Sequence, residues 1–477
     1  MTTNKPGTAP LTLPQILVYS ASALPVASLT LAIFVYLPPY LASHLGISLT
    51  VVSTSWALVR FLDIGVDPVL GIVMDRTRTA FGRYRAWMAA GAPVLMLGTY
   101  MVFMAPKGIG GAYLVAWLLV LYLGVSIVYL SHSAWAAALA TQYDQRSRLF
   151  GGLVAAGILA SVAILFVPLL AHAWGLSSAE GVRGMGWFVI GLTPLALGIA
   201  IAFTPERIST DVRAHFAIGD YVALLARPEL LRLIASQMAL VLGPGWMSAM
   251  YIFFFVGAWG FTAQQATILL MVYIFSGIAG AVVIGRMAMK ISKHRVLMMA
   301  TTAYSIGLCC VLLVPKGNIP AALPVIIWCG FMAAAFDLIV RAMTADLGDE
   351  IRLEQGKERS GLLYALITLA AKIAGALAIT ITYPLLAYVG YDPKEGAVNA
   401  HSAIVGLEWL FLSGPIVFVM LGGACFFGWK LDAKRHAEIR TALDARDALY
   451  DEAAILESVT GHPAGVLLAA ESEPRNL

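Results

Sequence analysis

The sequence predicts an all-α membrane protein of twelve spans, arranged as two six-helix halves. Three observations predict it. Apolar residues make up 60% of the 477 and charged residues only 12%, against roughly 45–50% and 25% in soluble domains. So little polar surface cannot cover so much apolar side chain in water. A membrane-crossing helix needs about 20 apolar residues, and twelve such segments can be marked. The third observation is the longest polar break, 205–230, which carries Pro205-Glu206-Arg207 and Arg227-Pro228-Glu229 and leaves six segments on either side.

The segments run near 14–41, 49–74, 86–105, 112–140, 149–174, 185–204, 231–257, 265–289, 295–314, 321–345, 361–390 and 402–429. The first is too long for a signal-peptide core and is read as a membrane helix. The expected units are residues 1–204, a linker 205–230, residues 231–429, and a charged, Ala-rich tail 430–477 expected to form a water-exposed helix. Placing both termini in the cytoplasm puts 24 Lys and Arg on that side and four opposite, namely Lys107, Arg183, Lys316 and Lys394. Basic residues collect on the cytoplasmic side, so this orientation is the expected one. A net charge of +4 follows from those loops and gives no reason to expect nucleic acid. The four cysteines lie in apolar runs without metal-ligand spacing, and no catalytic constellation, phosphate loop or cofactor motif appears. The chain is read as no enzyme, with no resident metal or cofactor.

Function is sought in the charges left inside the spans, because each costs at least about 2.5–3.5 kcal/mol to insert. Segment 2 contains Arg60, Asp63 and Asp67, which stack on one helical face. Pro68 follows and cannot donate to the carbonyl of Ile64. Two such close carboxylates call for a bound cation or a proton; the structural alternative is an Arg–Asp clamp between helices. Lys372 lies eleven residues into segment 11, about 16 Å deep, and should meet a carboxylate or a solute. Asp337 and Arg341, at i and i+4, can neutralise each other as a self-contained pair or serve as part of a gate. With Glu408, the interior holds three cations against four acids, so one acid is expected to lack a permanent partner. His132 is either a proton relay or a packed histidine beside Ser131 and Ser133. Tyr122, Tyr129 and Trp135 share its helix, and aromatic rings can stack on sugar faces. Without a nucleotide-binding domain, uphill transport must draw on an ion gradient.

The run Arg60-Phe-Leu-Asp63-Ile-Gly-Val-Asp67-Pro68, continuing to Asp75-Arg76-Thr77 and Gly82-Arg83-Tyr84-Arg85, resembles the signature of the glycoside–pentoside–hexuronide:cation symporters, a melibiose-permease-like branch of the major facilitator superfamily. Ala342-Met343-Thr344-Ala345-Asp346, Gly356 through Tyr364 with Lys372, and Asp144-Gln-Arg146-Ser-Arg148 are similar to further blocks of that family. The resemblance implies that Asp63 and Asp67 carry the coupling cation. It places Lys372 beside the cation and solute sites; Arg60, Ser131, Trp135, Tyr364 and His132 are the further candidates for substrate or coupling, and Asp75, Arg83, Arg85 and Asp346 are expected at a cytoplasmic gate where an acid meets a helix N-terminus. The family's charged sugar-binding positions fall at Ala27, Ser131 and Ala156, and two further sodium-ligand positions at Val66 and Val128. A proton (H+) is therefore expected in preference to sodium (Na+). The expected activity is symport of a sugar or glycoside-like solute across the cell inner membrane by a monomer. A less polar solute, or a membrane receptor that transports nothing, is the alternative.

Overall fold

The computed structural model describes residues 11–79, 81–139, 143–206, 224–356 and 359–460; within these, a few side chains, those of Asp75, Asp144 and Arg146 among them, lie outside the description. Long helices follow one another in the expected order: α1 (Leu13–Ser43), α2 (Leu49–Arg76), α3 (Arg83–Phe103), α4 (Gly111–Leu139), α5 (Tyr143–Ala173), α6 (Ser178–Phe203), α7 (Pro228–Ala258), α8 (Ala263–Lys290), α9 (Lys293–Val311), α10 (Ile319–Gln355), α11 (Ser360–Tyr388), α12 (His401–Ala424) and the tail helix α13 (Ala433–Thr460). No strand occurs among the described residues.

Ten of the helices are long and apolar enough to cross a membrane. The other two long helices of the body are α2 and α9. The first carries Arg60, Asp63 and Asp67 in its interior, and the second is only 19 residues long and opens on Lys293-His294-Arg295. α2 stays helical through Pro68. α1 and α7 each widen into a π-helical stretch in their later part, at Ala32–Tyr36 and Phe253–Ala258. α10 runs about ten residues beyond the apolar segment read from sequence, so Asp346 and Asp349 are helical.

The packing has a regular pattern. α3 lies on α4 and α6, α4 on α2, and α1 on α5 and α6. Six helices later, α9 lies on α10 and α12, α10 on α8, and α7 on α11 and α12. The two sets meet where α2 packs along α11, α5 along α8 and α1 along α7. Between helices in lipid, close approach rests on small residues. Gly280 of α8 sits against the backbone of Phe331, and Gly330 of α10 against the carbonyl of Tyr273, so a side chain at either place would run into main-chain oxygen. Gly330→Val is expected to cost about 1–3 kcal/mol and to lower the thermal-unfolding midpoint of the purified protein measurably.

The face that carries Arg76, Arg83, Arg85, Lys290 and Lys293, together with α13, is called the basic face below. There α13 docks on α10 by burying Ile439 and Leu443. His436 reaches Asp349 at 3.1 Å and Asp346 at 3.3 Å, and Arg446 donates to the carbonyl of Arg352. Asp432 caps α13 through the N–H of Arg435, which holds its carboxyl below the usual range. At the opposite face a cavity of about 740 Å³ lies between the two sets, with Tyr40, His44, Tyr391 and Asn399 in its wall. Tyr36 and Thr267 share a hydrogen bond of 3.0 Å across its wall, and His44 and Glu395 pair at 3.2 Å.

Candidate functional site

The polar cluster at the α2–α4–α11 junction is built on the charged stripe of α2. Asp63, 5% exposed, accepts from Arg60 Nη1 at 3.3 Å and from Ser126 Oγ of α4 at 3.0 Å. Lys372 Nζ of α11 bonds directly to Asp67 Oδ2 and lies 3.9 Å from Asp63 Oδ2. The Arg60 guanidinium also sits over the ring of Tyr122, 4.3 Å from its centre, a contact that favours a cation in a low-dielectric interior. Asp67 Oδ1 is buried and has no hydrogen-bond partner among the described residues. Three residues of α2 and one of α11 thus form one neutral unit of two acids and two bases. Its Lys372–Asp67 bond ties α2 to α11.

The remaining interior charges do not leave an acid without a partner, as the sequence inventory expected. Arg341 Nε donates to Asp337 Oδ2 at 2.6 Å, and Glu408 pairs with Lys316 at 2.5 Å near the face opposite the basic one. Sequence reading had counted Lys316 as a loop charge and had left Glu408 unpaired.

α4 presents two faces. Ser131, His132 and Trp135 lie on the packed one. Ser131 donates back to the carbonyls of Ile127 and Val128, Tyr19 donates to the carbonyl of His132, and Trp135 is wholly buried edge-on to Tyr19 at 5.3 Å. The structure does not bring these three to the carboxylates. The face that does reach them carries Tyr122, Ser126, Tyr129 and Ser133. Their spacing of four, three and four residues is a helical stripe, and it was the sequence signal for Ser126. Tyr364 of α11 donates to the carbonyl of Arg341 at 3.1 Å.

At the basic face the acid on the α3 N-terminus is Glu206, which sequence reading had not assigned. Its carboxylate accepts from the backbone N–H groups of Arg83, Tyr84 and Arg85 at 2.6, 2.9 and 3.1 Å, an anion seated on a helix dipole. Arg85 also donates to the carbonyl of Thr204. Gly82 enters this turn at φ +109°, where a side chain would be strained and would collide with Glu206. The side chain of Asp75 lies outside the described residues, while Asp346 pairs with Lys293 of α9 at 2.5 Å. Glu206→Gln is expected to weaken the α3 cap by about 1–2 kcal/mol and to speed amide exchange at residues 83–85.

Ala27 and Ala156, where the family resemblance puts sugar contacts, lie on α1 and α5, which pack together. A methyl group on Gly157 would meet the side chain of Ala27 at 3.7 Å, and Ser28 donates to the carbonyl of Ala160 at 3.2 Å. No charged group occupies that seam among the described residues.

An all-helical protein whose apolar helices can cross a membrane, and whose interior is joined through carboxylate–lysine pairs, is of the membrane-carrier class. The chain belongs to the MFS/sugar transport protein family, whose model matches residues 18–433. It is similar to an uncharacterised symporter of Bacillus subtilis, YnaJ, at 24% identity over 87% of this chain and 91% of that protein. It is 23% identical to an isoprimeverose transporter of Lactiplantibacillus pentosus over 87% and 89% of the two chains. A glucuronide carrier protein homolog of Escherichia coli is 22% identical over 87% and 92%. A crystal structure of the nucleoside transporter NupG superposes on 87% of this chain and 98% of its own with a TM-score of 0.60 at 12% identity, a likeness of fold. The protein is thus a sugar transporter of the major facilitator type, an integral membrane protein and not an enzyme.

Proposed function

We propose that the protein is a proton-coupled symporter that brings a sugar or glycoside-like solute inward by alternating access. The observation that carries the reading is the state of Asp67. One carboxylate oxygen bonds Lys372 across the α2–α11 seam, and the other is buried without a hydrogen-bond partner among the described residues. A proton on Asp67 cancels the charge that holds Lys372, so ion binding and the grip between the two helix sets are one event. Sodium fits less well. It takes several oxygen ligands, Val66 and Val128 offer none, and it would have to displace both Lys372 and the hydroxyl donated by Ser126.

In this reading residues 1–204 and 231–429 are two six-helix bundles of twelve spans joined by the linker 205–230. The packing pattern that recurs six helices later supports it. The 24-to-4 split of basic residues supports an inner-membrane orientation with the basic face, Glu206 and the tail helix in the cytoplasm. The relative described as an isoprimeverose transporter supports a glycoside as the solute. The close-packed α1–α5 seam at Ala27 favours a second reading, a less polar solute. The deciding experiment is uptake by proteoliposomes of a panel of sugars, glycosides and amphiphilic solutes under a pH gradient or a sodium gradient. Concentrative uptake of a glycoside with the pH gradient alone is the expected result.

A further inference from the structure

We infer that Asp337 and Arg341 of α10, with Gln237 of α7 and Tyr129 of α4, form the solute grip, and that this grip selects neutral glycosides over uronides. The inference rests on the glycoside-symporter reading above and deepens it.

Asp337 lies level with Gln237, whose Nε2 donates to Asp337 Oδ1 at 3.3 Å. Gln237 is nine residues from Pro228 at the start of α7, and Asp67 is nine residues from Arg76 at the end of α2, each about 14 Å inside its helix. The Asp337–Arg341 pair therefore sits at the depth of the carboxylate cluster. Yet 58% of the Asp337 side chain and 48% of that of Arg341 are exposed. Charges so placed face water or a polar ligand and not lipid, which would disfavour them strongly. α10 runs through Ala334 with helical backbone angles (φ −58°, ψ −23°), and Asp337 lies one turn further on.

The four side chains have bonding capacity left over. Arg341 uses only Nε on Asp337, and its two terminal nitrogens have no hydrogen-bond partner among the described residues. Gln237 is 1% exposed, and its Oε1 is buried without a partner. Tyr129, 41% exposed on the stripe of α4 that carries Ser126, supplies the hydroxyl from the other helix set. Tyr364 holds the backbone of Arg341 and lies two helical turns before Lys372 on α11, which connects this grip to the Asp67 pair.

The chemistry selects the solute. A carboxylate accepts from vicinal hydroxyls and a guanidinium donates to them in a fixed fork, while the pair adds no net charge. A neutral ring with adjacent hydroxyls satisfies both. A uronide would bring its carboxylate to Arg341 and also against Asp337, a like-charge contact that disfavours it. The grip thus replaces the charges lacking at Ala27, Ser131 and Ala156.

The test is solute counterflow in proteoliposomes with a panel of neutral methyl glycosides, each paired with its matching methyl uronide. Wild-type protein should show a half-saturation at least tenfold lower for the neutral member of its best pair. Asp337→Asn should shrink that ratio at least tenfold. Arg341→Lys, which keeps the ion pair and the fold, should raise the half-saturation for the neutral solute at least fivefold with the maximal rate kept. The exchanged pair Asp337→Arg/Arg341→Asp should stay below a tenth of wild-type activity. An unchanged ratio in Asp337→Asn, or full activity of the exchanged pair, would overturn the grip and leave the symporter reading standing. A wild-type protein that carries no glycoside under any gradient overturns the symporter reading itself, and the grip with it.

Discussion

Asp67→Asn is expected to lower pH-gradient-driven accumulation of solute at least a hundredfold while leaving solute exchange at equal concentrations within a fewfold of wild type. Asparagine imitates the protonated carboxyl, so Lys372 is released permanently and remains near Asp63, 3.9 Å away. The carrier can still reorient with solute, but no proton need travel with it. This split separates coupling from transport. Asp63→Asn is expected to do more general damage, because Arg60 and Ser126 both bond that carboxylate and Arg60 would be left in the interior without its acid. Loss of exchange and accumulation alike in Asp67→Asn, in a folded protein, would instead make Asp67 a structural clamp.

Lys372→Ala is the second large effect. It leaves Asp67 charged and unpaired between α2 and α11. Removing one partner of a buried ion pair costs about 3–5 kcal/mol. Both side chains keep some exposure, 24% and 18%, so about 2–3 kcal/mol is expected here by the same reasoning. The double variant Lys372→Ala/Asp67→Ala should recover most of that stability in a thermal-unfolding measurement, since no charge is stranded, yet show no proton coupling. Lys372→Arg should not rescue function, because a planar fork does not reproduce the point contact of an ammonium on one oxygen. A double variant no more stable than the single one would mean that the lysine contributes through packing alone.

The charges of α2 were legible in the sequence because hydrocarbon makes every interior charge conspicuous. The same reasoning found Lys372 and its need for a carboxylate, and the twelve apolar segments follow the observed helices closely. What pairs with what was not legible. Glu408 finds Lys316 only because the first turns of α12 and the loop before α10 come together in space. Glu206 looked like an ordinary linker charge, and only the fold shows it seated on the three N–H groups that open α3. On α4 the residue type misled: Ser131, His132 and Trp135 are chemically attractive but face Tyr19, whereas Ser126 lies on the tyrosine stripe that meets α2. Asp337 and Arg341 read from sequence equally as a self-contained i,i+4 pair or as part of a gate. Their exposure, and the buried Gln237 beside them, are properties of the assembled helices.

The central claim is that solute and proton move together through Asp67, and the most direct measurement is proton flux. Lightly buffered proteoliposomes in sodium-free medium should make the outside more alkaline when a transported glycoside is added, in proportion to the solute taken up. Asp67→Asn liposomes should take up solute down its gradient with no such signal. Uptake that requires sodium and moves no protons, or a proton signal that persists in Asp67→Asn, would contradict the account.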